Sequence, residues 1–289
     1  NRRWMAGRTR NTNTNRSQRR ATKSELRDFL TEAELERNKE YRENIKSSIS
    51  EISIDKSIKC LNSKQKQLIK AIKDNEIIFV RGAAGTGKTL MSLKVTLELL
   101  KKTDNPFSKV LLTKPIIEAQ ENRLGFLPGG IEEKIDPYMD SFISNMNLLL
   151  GKTTTGQLVS GKIVETNPLP YMRGDTFRES IAILDEAQNV TVGGMRLFLS
   201  RKHESCKMII LGDEDQTDLR MRHGEKNGLQ DAFERFQGID NVAFISFTED
   251  EIVRSTILIE MMKKYKVTPE ENPEENPEEN PEENPEDKH

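Results

Sequence analysis

Eight consecutive residues constrain this chain more than any others: Gly82-Ala-Ala-Gly-Thr-Gly87-Lys88-Thr89. They follow the apolar run Ile77-Ile-Phe-Val80 and precede the helical pattern Leu90-Met-Ser-Leu-Lys-Val-Thr-Leu-Glu-Leu-Leu. A short apolar run, a glycine turn and a helix, in that order, form the context of a phosphate-binding loop. Glycines let backbone N–H groups converge on phosphate oxygens, some at φ values closed to other residues. The helix then points the positive end of its dipole at the anion. Gly82, Ala83, Ala84, Gly85, Thr86, Gly87, Lys88 and Thr89 are therefore the expected nucleotide-binding residues. Lys88 belongs on the β- and γ-phosphates, and the Thr89 hydroxyl on Mg²⁺.

Two later runs supply the rest of such a site. Ser180-Ile-Ala-Ile-Leu-Asp185-Glu186-Ala-Gln188-Asn189 is an apolar strand ending in two acids. Asp185 at the strand's end is placed to hold the Mg²⁺ hydration shell. Glu186 is placed to accept the proton of a water attacking the γ-phosphate. Met208-Ile-Ile-Leu211-Gly212-Asp213-Glu214-Asp215-Gln216 is a further buried strand ending in polar residues. Gln216 is positioned either to sense the γ-phosphate or to orient water, as the G-D-x-x-Q motif of helicases does. Leu61-Asn-Ser-Lys-Gln65 resembles the glutamine motif of superfamily 1 helicases. There a carboxamide reads adenine with one donor and one acceptor, and Gln65 has that chemistry.

Apolar runs at Lys109–Thr113, Lys162–Glu165 and Asn241–Phe247 read as more strands, and Leu61–Ile72 as a helix leading into the glycine loop. Ile131–Ile143 begins another helix, and Glu249–Met262 reads as the closing one. Glycine and proline punctuate residues 151–180, which read as mostly loop. The expected class is α/β, a layered P-loop NTPase with a mainly parallel central sheet. Ligands of such sheets bind at the strands' C-terminal edge.

Charge divides the ends of the chain. Residues 1–24 hold seven Arg and one Lys with no acid. Residues 1–23 read as a disordered basic arm, either meeting nucleic-acid phosphates or solvated without a partner. Residues 24–60 read as a charged helical extension that packs on the core, mediates assembly or stands out as a lever. The ATPase domain is expected over 61–265. In 266–289 Pro-Glu-Glu-Asn repeats from Pro269 to Asn284. Proline at every fourth place prevents helix and sheet, so this tail reads as disordered and acidic.

Cys60 and Cys206 stand far apart and suit reduced thiols rather than a disulfide or zinc site. No run reaches ~18 apolar residues, so no membrane span is expected. The basic N-terminus lacks an apolar h-region. The expected compartment is the cytoplasm. The chain begins at Asn1, so the true start lies upstream or at Met5.

With these residues in hand, the chain resembles the PhoH-like family of P-loop ATPases over roughly residues 61–262. The likeness rests on Leu112-Thr-Lys-Pro-Ile-Ile-Glu-Ala-Gln-Glu, Leu124-Gly-Phe-Leu-Pro-Gly129 and Glu132-Glu-Lys-Ile-Asp-Pro-Tyr138. It continues through Pro170-Tyr-Met-Arg-Gly174, Leu184-Asp-Glu-Ala-Gln-Asn189, Gly212-Asp-x-x-Gln-x-Asp-Leu219 and Ile252-Val-Arg254. The resemblance implies a RecA-like core related to a single helicase motor domain, ATP binding and hydrolysis, and ring assembly. Some relatives join this domain to a PIN nuclease. No PIN-like acidic constellation is visible before residue 61. The family often has Pro where Ala83 stands, Arg where Lys114 stands and His where Ser255 stands.

Phosphoryl transfer also needs an arginine to meet the developing charge, worth ~10³–10⁵ in rate. Arg173, Arg201 and Arg254 are the candidates, with Arg254 the first choice. A helicase takes this finger from a second motor domain, which this chain lacks. A finger from a neighbouring subunit points to a homo-oligomer, such as a hexameric ring. The expected function is an ATP-driven motor or remodeller acting on RNA or single-stranded DNA. The rivals are a nucleotide switch acting on a protein partner, and a small-molecule kinase. Glu186 and Gln216 suit an attacking water better than an acceptor hydroxyl, which disfavours the kinase.

Overall fold

The computed structural model describes residues 49–102, 104–116, 131–172, 176–214, 216–219 and 224–253, with single positions at 43, 47, 257 and 261. Of residues 131–138 it describes the helical path only. The basic arm and the Pro-Glu-Glu-Asn tail lie outside these residues.

Six strands form one sheet: β1 (Ile77–Arg81), β2 (Lys109–Thr113), β3 (Val164–Thr166), β4 (Ser180–Leu184), β5 (Cys206–Gly212) and β6 (Val242–Ser246). Their order is β3-β2-β4-β5-β1-β6, and every recorded pairing is parallel. A parallel sheet needs crossovers and cover on both faces, which explains why its central strands are apolar without alternation. All five positions of β4 and all seven of β5 are buried.

The helices are α1 (Ser63–Asp74), α2 (Lys88–Leu100), α3 (Ile131–Leu150), α4 (Lys152–Ser160), α5 (Val192–Leu199) and α6 (Gly228–Arg235). Successive strand residues point to opposite faces. Ile78, Val80, Ile181, Ile183, Ile209 and Leu211 thus join Leu68, Leu93, Phe142 and Leu158 of α1–α4 in one core. Phe79, Ala182, Leu184, Met208 and Ile210 join Phe198, Leu229 and Phe233 of α5 and α6 in another. The result is the expected three-layer α/β architecture.

Four details differ from the sequence expectations. Residues 152–160 form α4 rather than loop, because Thr155 and Leu158 are buried beside α3 and packing outweighs the intrinsic cost of Gly156. Helices α5 and α6 carried no expectation. Helical backbone of the N-terminal extension ends at Ser50, and the chain then runs without regular structure to Cys60. There Ile49 and Ile52 enter the first core, and the Asp55 N–H donates to the Leu149 carbonyl. Finally, Glu249–Glu251 is a single 3-10 turn closed by a Thr248–Glu251 capping box. Ile252 after it is extended, so the closing helix does not begin at Glu249.

Candidate nucleotide site

The C-terminal ends of β1, β4 and β5 converge on one cleft. Strand β5 lies between β1 and β4, so the glycine loop and the two acids do not come from adjacent strands. The loop leaving β5 is instead threaded between them.

The loop after β1 depends on left-handed backbone. Gly82, Gly85 and Gly87 have φ of 146°, 88° and 82°. At Gly82 space also forbids a side chain, since a Cβ would stand 2.5 Å from that of Phe247. Gly87 is the N-cap of α2, so the first free N–H groups of that helix open onto the loop. Lys88 Nζ donates to the carbonyls of Gly82 at 2.5 Å and Ala83 at 2.9 Å, and Thr86 Oγ1 donates to that of Ala83.

Thr89 and Asp185 meet, the hydroxyl donating to Asp185 Oδ2 at 2.9 Å. Asp185 is 7% exposed. Burial pushes its carboxyl above the ordinary carboxylate range, an effect partly offset by the Lys114 ammonium. Lys114 follows β2, donates to Ser141 Oγ at 2.6 Å and sits over the Phe142 ring. A buried carboxylate and a hydroxyl at a helix N-terminus are hard oxygen donors, and they suit Mg²⁺.

Glu186 has φ 56° and ψ 37°, a left-handed conformation that is uncommon for a residue with a side chain. It marks stored backbone strain where the strand turns sharply into the 3-10 turn Ala187–Asn189. Its N–H donates to Asp185 Oδ1, and its Oε2 accepts from Gln188 Nε2 at 2.8 Å. Gln216 is exposed at the cleft, where it lines the same cavity as Lys88, Asp185 and Glu186.

Gln65 is placed differently from a free base reader. It is 2% exposed. Its Oε1 accepts from the Leu61 N–H at 2.7 Å, and its Nε2 donates to the Thr86 carbonyl at 3.0 Å. The carboxamide thus braces the glycine loop from α1. The cleft has a volume of about 690 Å³. Ser57, Ile58, Lys59, Leu61 and Val253 are also among its lining residues. Val253 N–H donates to the Gly85 carbonyl, and Asn62 Nδ2 to the Glu251 carbonyl.

Arg173 and Arg254 lie outside the described residues. Arg201 follows α5, and its carbonyl accepts from Phe177 N–H just before β4. That is the sheet's N-terminal edge, opposite the glycine loop, so Arg201 does not reach the cleft of its own chain.

Sequence reasoning missed three residues here. Asp213 Oδ2 accepts from the Ala84 N–H at 2.7 Å, tying the end of β5 to the glycine loop. Gln188, 1% exposed, contacts both Glu186 and the loop after β5. Asn189 Oδ1 accepts from the Asp218 N–H. The amides of Gln188 and Asn189, beside two acids at a strand's end, were the available signal. Among the described residues no cluster of His, Cys, Asp and Glu could hold a metal by itself, and no helix is long and apolar enough to cross a membrane.

Residues 57–266 match the family model described as PhoH-like protein. A PhoH-like protein of Bacillus subtilis is 38% identical over 227 residues, covering 78% of this chain and 70% of that one. Protein PhoH of Escherichia coli K12 is 38% identical over 206 residues, covering 71% of this chain and 57% of that one. Among solved structures, the Pif1 helicase from Candida albicans aligns over 72% of this chain and 44% of its own, at TM-score 0.37 and 14% identity. The HK97 bacteriophage large terminase aligns over 78% of this chain and 52% of its own, at TM-score 0.44 and 14% identity.

Proposed function

This chain belongs to the PhoH-like family, and from that premise we propose that it binds ATP with Mg²⁺ and hydrolyses it as an oligomeric motor or remodeller of RNA or single-stranded DNA. The observation carrying the hydrolase reading is the meeting of Thr89 and Asp185 at 2.9 Å, with Glu186 next in the chain.

In this reading the phosphates lie over the N-terminus of α2, against the N–H groups of the glycine loop. Lys88 moves from the Gly82 and Ala83 carbonyls to the β- and γ-phosphates. Thr89 and Asp185 would hold Mg²⁺, which would supply charge neutralisation at the phosphates. Glu186 takes a proton from the attacking water. The water oxygen bonds to the γ-phosphorus, and the bond to the bridging oxygen breaks, releasing ADP and phosphate. Gln216 senses the γ-phosphate. The base lies between the 57–61 segment and Val253, with Gln65 setting the loop beneath it. A neighbouring copy supplies the arginine, Arg254 being first choice.

The basic arm and the helicase-like motifs support nucleic acid as the partner. Exposed Val253, Ile257 and Met261, beginning at the cleft wall, favour a second reading in which ATP drives binding of a protein. Phosphate release measured with and without single-stranded RNA or DNA separates the two. Stimulation that fades with added salt supports the motor, because phosphate contacts are salt-sensitive. The absence of both stimulation and salt-sensitive binding excludes the motor. Sedimentation with and without ATP tests the assembly.

A further inference from the structure

The carboxamide of Gln188 joins the two halves of the hydrolytic apparatus. One Nε2 hydrogen goes to Glu186 Oε2 at 2.8 Å, and the other to the Gln216 carbonyl at 3.1 Å. Its Oε1 accepts from the Asp213 N–H at 2.9 Å. The group's two donors and its carbonyl are thus all engaged, in a side chain 1% exposed. The backbone agrees, since the Gln188 carbonyl accepts from Thr217 Oγ1 at 3.3 Å. The space around it is full. A Cβ on Gly212 would stand 2.9 Å from Gln188 Oε1 and 3.0 Å from its backbone nitrogen.

We propose that Gln188 is a positioning residue that fixes the Glu186 carboxylate relative to the loop bearing Gln216, so that the base and the γ-phosphate sensor move together. This rests on the hydrolase reading above. Glu186 has one oxygen held by Gln188, which orients the carboxylate about its own axis. The loop from Asp213 to Asp218 is fastened to the same 3-10 turn by Gln188 and Asn189. Asp213 in turn holds the Ala84 N–H of the glycine loop. A change at the γ-phosphate that shifts this loop therefore pulls directly on the amide that holds the base. Gln188 is itself sealed from solvent, so its amide depends on these protein contacts.

The test is a double-mutant cycle of Gln188→Met and Glu186→Gln, reading the turnover number and, separately, the dissociation constant for ATP. Methionine keeps the length and removes every polar contact. Expected for Gln188→Met is a ~10–100-fold slower turnover, the scale of an ångström's misplacement at a reacting group. ATP affinity should stay within about threefold, which also shows that the site has folded. In the Glu186→Gln background the same change should add nothing, because the group it positions is already gone. Gln188→Glu, which keeps the acceptor for Asp213 but repels Glu186, should fail to restore the rate. Unchanged turnover in Gln188→Met overturns the proposal. So does an equal further loss in the Glu186→Gln background, or a parallel loss of affinity. Normal turnover in Glu186→Gln alone overturns instead the assignment of the base.

Discussion

The two edges of the sheet handle charge differently. At the C-terminal edge, Asp185 and Asp213 are buried, and each accepts from a neutral group: the Thr89 hydroxyl and the Ala84 N–H. At the N-terminal edge, ammonium groups meet oxygens that satisfy them locally. Lys202 pairs with Glu76 at 2.6 Å, and Lys109 with Glu165 at 3.0 Å. Buried Lys207, second in β5, donates to the Asn75 carbonyl. In the function proposed above, the first edge receives the charge of a ligand and also carries the part-exposed Arg81–Glu214 pair at 3.1 Å; the second is closed on itself. Substitutions should accordingly alter chemistry without stability at one edge, and stability without chemistry at the other.

The largest expected break is Lys88→Ala. Hydrogen bonds to charged groups are worth ~1.5–3 kcal/mol each, so losing two phosphate contacts should weaken ATP binding by ~10²–10⁴-fold. Equilibrium binding measures this, and the melting temperature without nucleotide should hardly change. Glu186→Gln comes next: turnover should fall by ~10²-fold or more while ATP still binds, as read by single-turnover phosphate release.

At the other edge the effects are smaller and appear in melting curves. Burial lowers the Lys207 pKa to about 8, with nearby Glu76 and Asp74 opposing the shift. The unfolded chain titrates there near the ordinary 10.5. Between these values the unfolded state binds more protons, so stability contributed by this site rises with pH; below the folded value the penalty is full. Lys207→Met should therefore melt ~2–4 °C higher at neutral pH, with the advantage shrinking toward pH ~10. ATP turnover should be unaffected. The smallest effect belongs to Glu165→Gln, which breaks a part-exposed pair and should cost under ~1 kcal/mol in chemical denaturation. Loss of ATP hydrolysis in either variant would erase the contrast between the edges.

Much of the phosphate end was legible because its chemistry is carried by contiguous residues. Gly82 to Thr89, and Ile181 to Glu186, each combine a strand, a turn and the reactive groups in one stretch. The part of the cleft proposed above for the base was less legible because it is assembled from segments far apart in the chain. Ile58, Leu61 and Val253 line one cleft, held there by contacts that include the Val253–Gly85 and Asn62–Glu251 bonds. Helix α4 escaped notice for a similar reason, its weak apolar pattern being stabilised by α3. Gln65 shows the limit of motif reasoning: its spacing was informative, but only the fold determined that its amide braces Thr86.

By itself the sequence determined the α/β class, the glycine loop with its lysine and threonine, and the acids at the end of an apolar strand. It could do so because backbone conformation and strand burial are set by neighbours a few residues apart. The tertiary structure alone decided that β5 enters between β1 and β4. That insertion brings Asp213 to the glycine loop and Gln188 to the loop after β5, since contacts between strand ends depend on the order of strands across the sheet.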